Sequence, residues 1–463
     1  MRYLKLIILI LFASAAQNTA HSAVIPAQLS LKDAVALSIH GNVNIKQAER
    51  AKLDSLSGYR KAGIETTYSA GAVGGAEGTP ALLDLSNRTY GSLNYGGISG
   101  DTGSLTVSPY GLGAEEAAAA ISISHPLMGG MGELSEKGNS VKSALSSISI
   151  QDKQFYLSEQ STVLGVIQAY YQAVLAREQV KVQESAVKSA EQNAEYMRKL
   201  EDAGSARGID VTQSEVYVAQ AKDSLNTSQL TARGSVDTLM VAIGFGVGQV
   251  PELTDDVPEA PPPPPSLEEA NRIALKNRLE LSVYDQQMVD AERTLAMKKD
   301  ALHPQVNAVA TFSTTNSNPG LLSGPSLNAG AVNMGVVLNL PLDQRAAKED
   351  KETAERAIDI LKQQKAFQIE QIVDQVRSSY QSYESAKTSY EIFSQNLSVA
   401  QENLRIAQRM VEEGEGDNRD VVSAQQNLSA VQGSILSAKT NLYLAVIRLR
   451  YTMGEDLTVM GNG

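Results

Sequence analysis

Cysteine and tryptophan are absent from the 463-residue chain, phenylalanine occurs six times and histidine four times. Without cysteine there is no disulfide framework, no thiolate metal site and no thiol to carry a lipid anchor. His21, His40, His125 and His303 are scattered along the sequence, and they form neither a ligand cluster nor a nucleophile–base pair. No catalytic residue, metal site or cofactor is therefore expected. Basic residues are outnumbered, with 40 Lys and Arg against 52 Asp and Glu and a net charge of −12. A chain this acidic repels phosphate backbones, which removes nucleic acid from the expected partners. Beyond the first residues, no stretch reaches the roughly 20 apolar positions of a membrane helix. Any membrane attachment has to come from strands.

The N-terminus reads as a signal peptide over residues 1–23. Arg2 and Lys5 precede the apolar run Leu6–Phe12, and small residues follow, with cleavage placed between Ala15 and Ala23. Loss of Arg2 and Lys5 takes the net charge from −12 to −14.

What the chain does contain is itself, twice. Gly204, Asp210, Val211 and Gly244 fall on Gly414, Asp420, Val421 and Gly454, an offset of 210, while Ser30, Leu31 and Ala34 fall on Ser266, Leu267 and Ala270, an offset of 236. Duplication of this kind points to similar units that stack because one alone leaves an apolar face uncovered. Residues 24–243 form the first repeat and residues 267–454 the second, joined by a stiff linker over 244–266 that ends in Pro261–Pro265 and followed by a tail over 455–463.

Each repeat reads as helix, strand pair, long helix, shorter helix. In the first shorter helix Val211, Val218, Leu225, Ala232 and Leu239 recur every seven residues, with Ser214, Ala221, Ser228, Ser235 and Ala242 three further on. The second has Val421, Leu428, Ile435, Leu442 and Leu449, with Ala424, Val431, Ala438, Ala445 and Thr452. A strict spacing of seven requires a left-handed coiled coil. Pro126–Gly204 and Pro341–Gly414 each hold roughly 75 residues, about 110 Å of helix. Two shorter helices end to end match one long one. Gly208–Ile243 with Leu267–His303, and Asp420–Met453 with Leu31–Ala62, are the expected columns.

Period-two alternation marks strands at Ile64–Val73, Ala117–Ile123, Gln305–Phe312 and Val332–Leu340, with a long Gly-rich loop over 74–116 and a polar loop holding Pro319 and Pro325. The clearest places Val332, Met334, Val336, Leu338 and Leu340 on one face. Four strands cannot close a barrel in lipid, so several copies must share one; a trimer would give twelve strands. The fold class is mainly α, a long helical coiled-coil barrel, with a transmembrane β-barrel part. Pro126, Pro304 and Pro341 stand at the crossings between strand and helix, where a residue without a ladder donor is needed.

Farthest from the strands lie the turns between long and short helices. Gly204 and Gly414 supply backbone freedom there. The second turn carries Glu412, Glu413, Glu415, Asp417 and Asp420, opposed by Arg419 alone. Repeated around an axis, such carboxylates would attract cations at a narrow mouth.

The openings SLKDAVALSIHGN and SLEEANRIALKNR, the paired Pro-Leu swivels and the Gly-to-Asp-Val turns resemble the TolC family of outer-membrane efflux channels. The resemblance implies a homotrimer in the outer membrane, a twelve-stranded barrel and a helical tunnel through the periplasm. It implies docking to a periplasmic adaptor protein and an inner-membrane pump, as the exit duct of a tripartite efflux or type I secretion system. Asp420 matches a gate aspartate position, and Glu415, Asp417 and Arg419 complete the expected gate. The second aspartate of the family motif falls on Ser423. Gly204, Ser205, Ile209, Asp210 and Gly414 are the expected adaptor-contact tips. After its Pro-Leu, the first swivel has Met128-Gly129-Gly130, close to the family pattern, and the second has Asp343-Gln344. The rival is a periplasmic coiled-coil adaptor or scaffold without a pore, which would not need alternating strand pairs at matching places in a repeat.

Overall fold

The computed structural model describes residues 26–67, 69–70, 91–96, 102–113, 116–204, 206–259, 262–316 and 331–458. The signal peptide, Ser205 and the loop with Pro319 and Pro325 lie outside these. The first half contains β1 (Gln28–Leu29), α1 (Leu31–Gly41), α2 (Val43–Thr67), β2 (Ser69–Ala70), β3 (Gly91–Gly96), β4 (Thr102–Gly113), β5 (Glu116–Met128), α3 (Glu136–Asp202) and α4 (Gly208–Ile243). The linker holds β6 (Glu252–Leu253). The second half contains α5 (Leu267–Asn277), α6 (Leu279–Asp300), β7 (Gln305–Asn316), β8 (Ala331–Asn339), α7 (Arg345–Glu412) and α8 (Asn418–Thr452).

The repeated Ser-Leu openings are helix starts. The Ser30 hydroxyl accepts from the Asp33 amide and the Ser266 hydroxyl from the Glu269 amide, satisfying an amide that the first turn would leave open. Both helices then end after 11 residues, where continuous ones were expected. Asn42 (φ −69°, ψ 134°) and Arg278 (φ −67°, ψ 114°) take extended backbone and restart the chain as α2 and α6. The breaks are docking points. Gly244, at φ 101°, ends α4 so close to the first break that a Cβ would lie 2.6 Å from the Gly41 carbonyl oxygen. The Asn42 side-chain amide donates to the Ala242 carbonyl at 2.8 Å. Gly454, at φ 75°, ends α8 against Asn277 and Arg278 in the same manner.

These contacts correct the expected columns. The α4 helix continues onto α2, both packed along the long helix α3, and α8 continues onto α6, both packed along α7. Length could not decide between the pairings, because the candidate segments are nearly equal; the caps decide it. The long helices contain 67 and 68 residues, about 100 Å each. No heptad position at either seam of α4 or α8 is exposed, and Val211, Ser214, Leu239, Val421, Leu442 and Leu449 are buried.

The largest core sits at the middle of the long axis, where Leu29, Ala34, Val163, Ile167, Tyr170, Val174, Leu239, Ile243, Leu253 and Leu457 meet. Here the linker is more than a spacer, since β6 pairs in parallel with β1. The buried Tyr170 hydroxyl lies 3.0 Å from the Leu29 carbonyl and 2.8 Å from the Asp255 carboxylate. That carboxylate also accepts from the Leu31 amide at 2.7 Å, at the start of α1. Arg177 donates to the carbonyls of Leu253 and Asp255. A second core joins α5, α7 and α8 through Ala270, Ala274, Ile372, Val376, Leu449 and Met453.

One antiparallel sheet has the order β2-β3-β4-β5-β7-β8, and the β5–β7 pairing joins the halves. Among the described residues it has six strands, where four were expected. The expected loop over 74–116 contains β3, β4 and the first residue of β5, whereas Ile64–Thr67 belong to α2. Residues 91–113 are rich in Gly, Ser and Thr, and their alternation is short, Leu93 and Tyr95 in β3 and Leu105 and Val107 in β4, too brief among the glycines to stand out as strands. On β8 the expected apolar face is present and open to solvent, with Val332 58%, Met334 81%, Val336 66% and Leu338 56% exposed. Its far edge has no partner strand among the described residues.

Gly244→Ala is expected to cost on the order of 2–3 kcal/mol, because it adds a left-handed strain to a backbone clash. Gly246→Ala, where a Cβ would meet nothing within 4 Å, serves as the control. Thermal unfolding of the purified chain should separate the two.

Candidate functional site

The tip is built by two turns that the duplication makes equivalent. After α3, Gly204 takes φ 74° and its amide donates to the Glu201 carbonyl at 2.8 Å; after α7, Gly414 takes φ 77° and its amide donates to the Val411 carbonyl at 3.1 Å. Both conformations suit glycine because a Cβ is strained there.

Beyond the glycines the two copies diverge. Arg207 stands at the N-cap of α4, and its guanidinium donates to the Asp210 carboxylate at 3.0 Å from both Nε and Nη2. That bond holds the Asp210 carboxyl below the usual carboxylate range. The equivalent residue in the second copy is Asp417, which caps α8 by accepting from the Arg419 amide at 3.1 Å. A cation in one copy thus stands opposite an anion in the other. Arg207 Nη2 lies 3.7 Å from Asp417 Oδ2, and the turns are bridged.

Beneath the bridge is a buried polar clamp that the sequence did not disclose. The Asn418 amide nitrogen lies 2.8 Å from Ser214 Oγ and 3.0 Å from the Asp210 carbonyl, and its oxygen accepts from Asn193 Nδ2 at 2.9 Å. Asn418 is 4% exposed and Ser214 is fully buried. Further along the seam, Gln425 Nε2 donates to Ser189 Oγ at 3.1 Å. Three helices, α3, α4 and α8, are tied by side chains that look like ordinary turn or small-residue positions. The only sequence signal was the departure from symmetry, since Asn418 falls on Gly208.

Of the expected gate residues, Glu415, Arg419 and Asp420 are exposed and Asp417 is partly exposed. Ile209 is 55% exposed, whereas Asp210 is buried under Arg207. Asp210 therefore belongs to the clamp, and Asp420, its repeat partner, faces solvent.

At the other end, the swivels differ as their sequences differ. Pro126 lies within β5, opposite Asn307, and the strand runs on through an irregularity to Met128. Gly129 and Gly130, at φ 75° and 65°, then turn the chain. The Gly130 amide donates to the Asp300 carboxylate at 2.5 Å, and a Cβ on Gly129 would come within 3.1 Å of Gln305. Pro304 stands just before β7 and Pro341 shortly after β8. In place of the glycines, the second swivel uses Gln344, whose side chain donates to the Leu302 carbonyl at 3.2 Å.

Asn418→Ala removes the Asn193 acceptor and one donor each to Ser214 Oγ and the Asp210 carbonyl, while Ser214 Oγ keeps its own bond to that carbonyl at 3.0 Å, a loss of about 1–2 kcal/mol in local stability. Hydrogen exchange should report it as faster exchange confined to amides near both turns. The Asp210 contribution is present above the unfolded carboxyl pKa of about 3.9. It is lost as pH falls through the depressed folded value. Tip protection should therefore hold from neutral pH to about 4 and weaken below it, and Asp210→Asn should remove that acid dependence.

The outer membrane efflux protein family model matches the chain over residues 90–245 and 271–455, one segment in each half. No match was found among curated protein sequences. Among solved structures the chain is similar to CusC, with TM-score 0.69, 15% identity and 92% of both chains covered. It is similar to VceC of Vibrio cholerae, with TM-score 0.67, 14% identity and coverage of 92% of this chain and 96% of that one. The open state of the MtrE outer membrane channel of Neisseria gonorrhoeae gives TM-score 0.63 and 15% identity, covering 92% and 88%. The rival scaffold reading gains no support from these matches. With both repeats inside one family model and the whole architecture shared, the chain belongs to the outer membrane efflux protein family, as an outer-membrane channel whose helices extend into the periplasm.

Proposed function

We propose that three copies form a closed duct, with a shared barrel in the outer membrane and a helical tunnel whose tip meets a periplasmic adaptor and, through it, an inner-membrane pump. The observation that carries this reading is a second apolar heptad on each edge of the helical layer. The helices nearest the tip run in the order α4, α3, α8, α7. The α4 edge exposes Ile209, Val216 and Leu230, at multiples of seven, and the α7 edge exposes Ile360 and Phe367, seven apart, and then Ile392, Val399 and Ile406, again seven apart, with a shift of register between the two runs. Such faces are costly in water and match a partner helix of the same kind. Packing the α7 edge of one copy on the α4 edge of the next gives a ring by a heterologous contact that closes. The open edge of β8 is covered by the same rotation. Four strands exceed eight residues, β4, β5, β7 and β8, which supports twelve in a trimer.

In that ring Glu415, Asp417 and Asp420 crowd around the axis, with Arg419 as the opposing charge, and set the preference for cations. Ile209 and the backbone around Gly204 and Gly414 offer an apolar, knob-like end to the adaptor. The Asp210 clamp positions this surface from beneath. Cargo passes without chemistry, driven by the pump.

Val399→Asp, on the α7 edge and away from the protomer's own cores, should abolish the oligomer on unheated gels while leaving helical content unchanged. A persistent trimer would refute the edge-to-edge ring. In planar bilayers, Glu415→Gln combined with Asp420→Asn should shift the reversal potential toward zero in a salt gradient; an unchanged cation preference would remove these residues from the gate.

A further inference from the structure

A pocket of about 650 Å³ opens halfway along the helical layer, where α3, α7 and α8 meet the start of α6. At its base is Arg278, the residue that breaks α5 from α6, only 8% exposed. Its Nη2 donates to Gln375 Oε1 at 2.5 Å and lies 3.5 Å from Glu280 Oε1. The Nε–H of Arg278 and Oε2 of Glu280 are buried and have no hydrogen-bond partner. Buried polar atoms are nearly always paired, so an orphan donor and an orphan acceptor lining one cavity call for a ligand that carries both complements. At the pocket rim, Arg448 and Asp374 make no hydrogen bond or ion pair among the described residues.

The pocket therefore presents two cationic donors, Arg278 buried and Arg448 exposed, and two anionic acceptors, Glu280 half-buried with its Oε2 covered and Asp374 exposed. Its formal charge is balanced. A solute of one sign would satisfy one pair and be repelled by the other, which rejects simple anions and simple cations alike. A solute carrying both a carboxylate and an ammonium group satisfies all four. The size suits a small molecule.

We propose that this pocket binds small zwitterionic solutes, the carboxylate held by Arg448 and the Arg278 Nε–H, the ammonium by Asp374 and Glu280. Ile372, Val376, Leu449 and Met453 pack with Ala270 and Ala274 of α5, Gln375 and Thr452 lie beside them on α7 and α8, and Asp374 and Arg448 are exposed. The pocket thus opens beside the break between α5 and α6.

The test uses the full mature chain in detergent and equilibrium dialysis with γ-aminobutyrate and ε-aminocaproate, beside the methyl ester and N-acetyl derivative of each. At least one zwitterion should bind, with both of its blocked forms about tenfold weaker or more, the loss expected for one charge-assisted contact. Arg448→Gln and Asp374→Asn, both at exposed positions, should each weaken the zwitterion about tenfold, with circular dichroism unchanged. Equal binding of blocked and unblocked forms, indifference to both substitutions, or no zwitterion binding at all overturns the proposal. Light scattering on the same sample separates the two readings. A trimer that binds no zwitterion sinks the pocket alone, and a monomer that binds one sinks the duct and leaves the pocket standing.

Discussion

The seven-residue spacing of apolar side chains on helices about 100 Å long is the constraint on which the rest of the structure depends. A helix of that length has no globular core to lie on, so its stability comes from a seam repeated along its whole length. The long helices α3 and α7 meet this demand with partners assembled from two shorter pieces. The chain must therefore cap and restart a helix midway along each column. Gly41–Asn42 against Gly244, and Asn277–Arg278 against Gly454, are those junctions. The central core, with its β1–β6 pairing and Tyr170–Asp255 contact, lies at the same level and holds the first junction in register.

Duplication explains the similarity of the halves, and its breakage explains the tip. A perfect repeat would place two arginines or two aspartates at the N-caps of α4 and α8, and like charges would then meet between adjacent turns. Arg207 and Asp417 avoid this and attract instead. A similar divergence puts Asn418 where the first copy has Gly208, and the longer side chain reaches across to Ser214 and the Asp210 carbonyl. Its burial fixes α8 against α4 with hydrogen bonds, which are directional, where an apolar contact would allow the helices to slide. The tip is thus held by directional polar bonds that share Ser214 with the heptad seam above it.

Much of the architecture was legible in the sequence because it is written in periodicity. The heptad positions of α4 and α8, the apolar face of β8, the glycine turns and the long helices all follow from spacing that one strand or one helix displays by itself. What remained hidden depends on contacts between distant segments. Gly208–Ile243 matches two possible continuations in length, and only the cap formed by Asn42 on Ala242 selects between them. The strands β3 and β4 carry only Leu93 and Tyr95, and Leu105 and Val107, as an alternating apolar face, set in a stretch of Gly, Ser and Thr that reads as loop. Asn193, Ser214 and Asn418 have no local signature at all, since a buried polar clamp is defined by its partners.

The two junctions between the sheet and the long helices are built differently. In the first half the strand passes Pro126 and turns through Gly129 and Gly130, both left-handed, with one amide tied to Asp300. In the second half the turn is made at Asp343–Gln344, where the side chain of Gln344 reaches the last turn of α6 and Asp343 pairs with Arg345. Both links end on the same short region, Asp300 to Gln305, at the exit of α6. The transitions from sheet to α3 and from sheet to α7 are therefore coupled through one segment instead of hinging separately. The glycine link turns through two left-handed residues and is tied to a carboxylate, whereas the glutamine link is tied by a neutral side-chain bond to a carbonyl, so the two junctions hold the exit of α6 by different means.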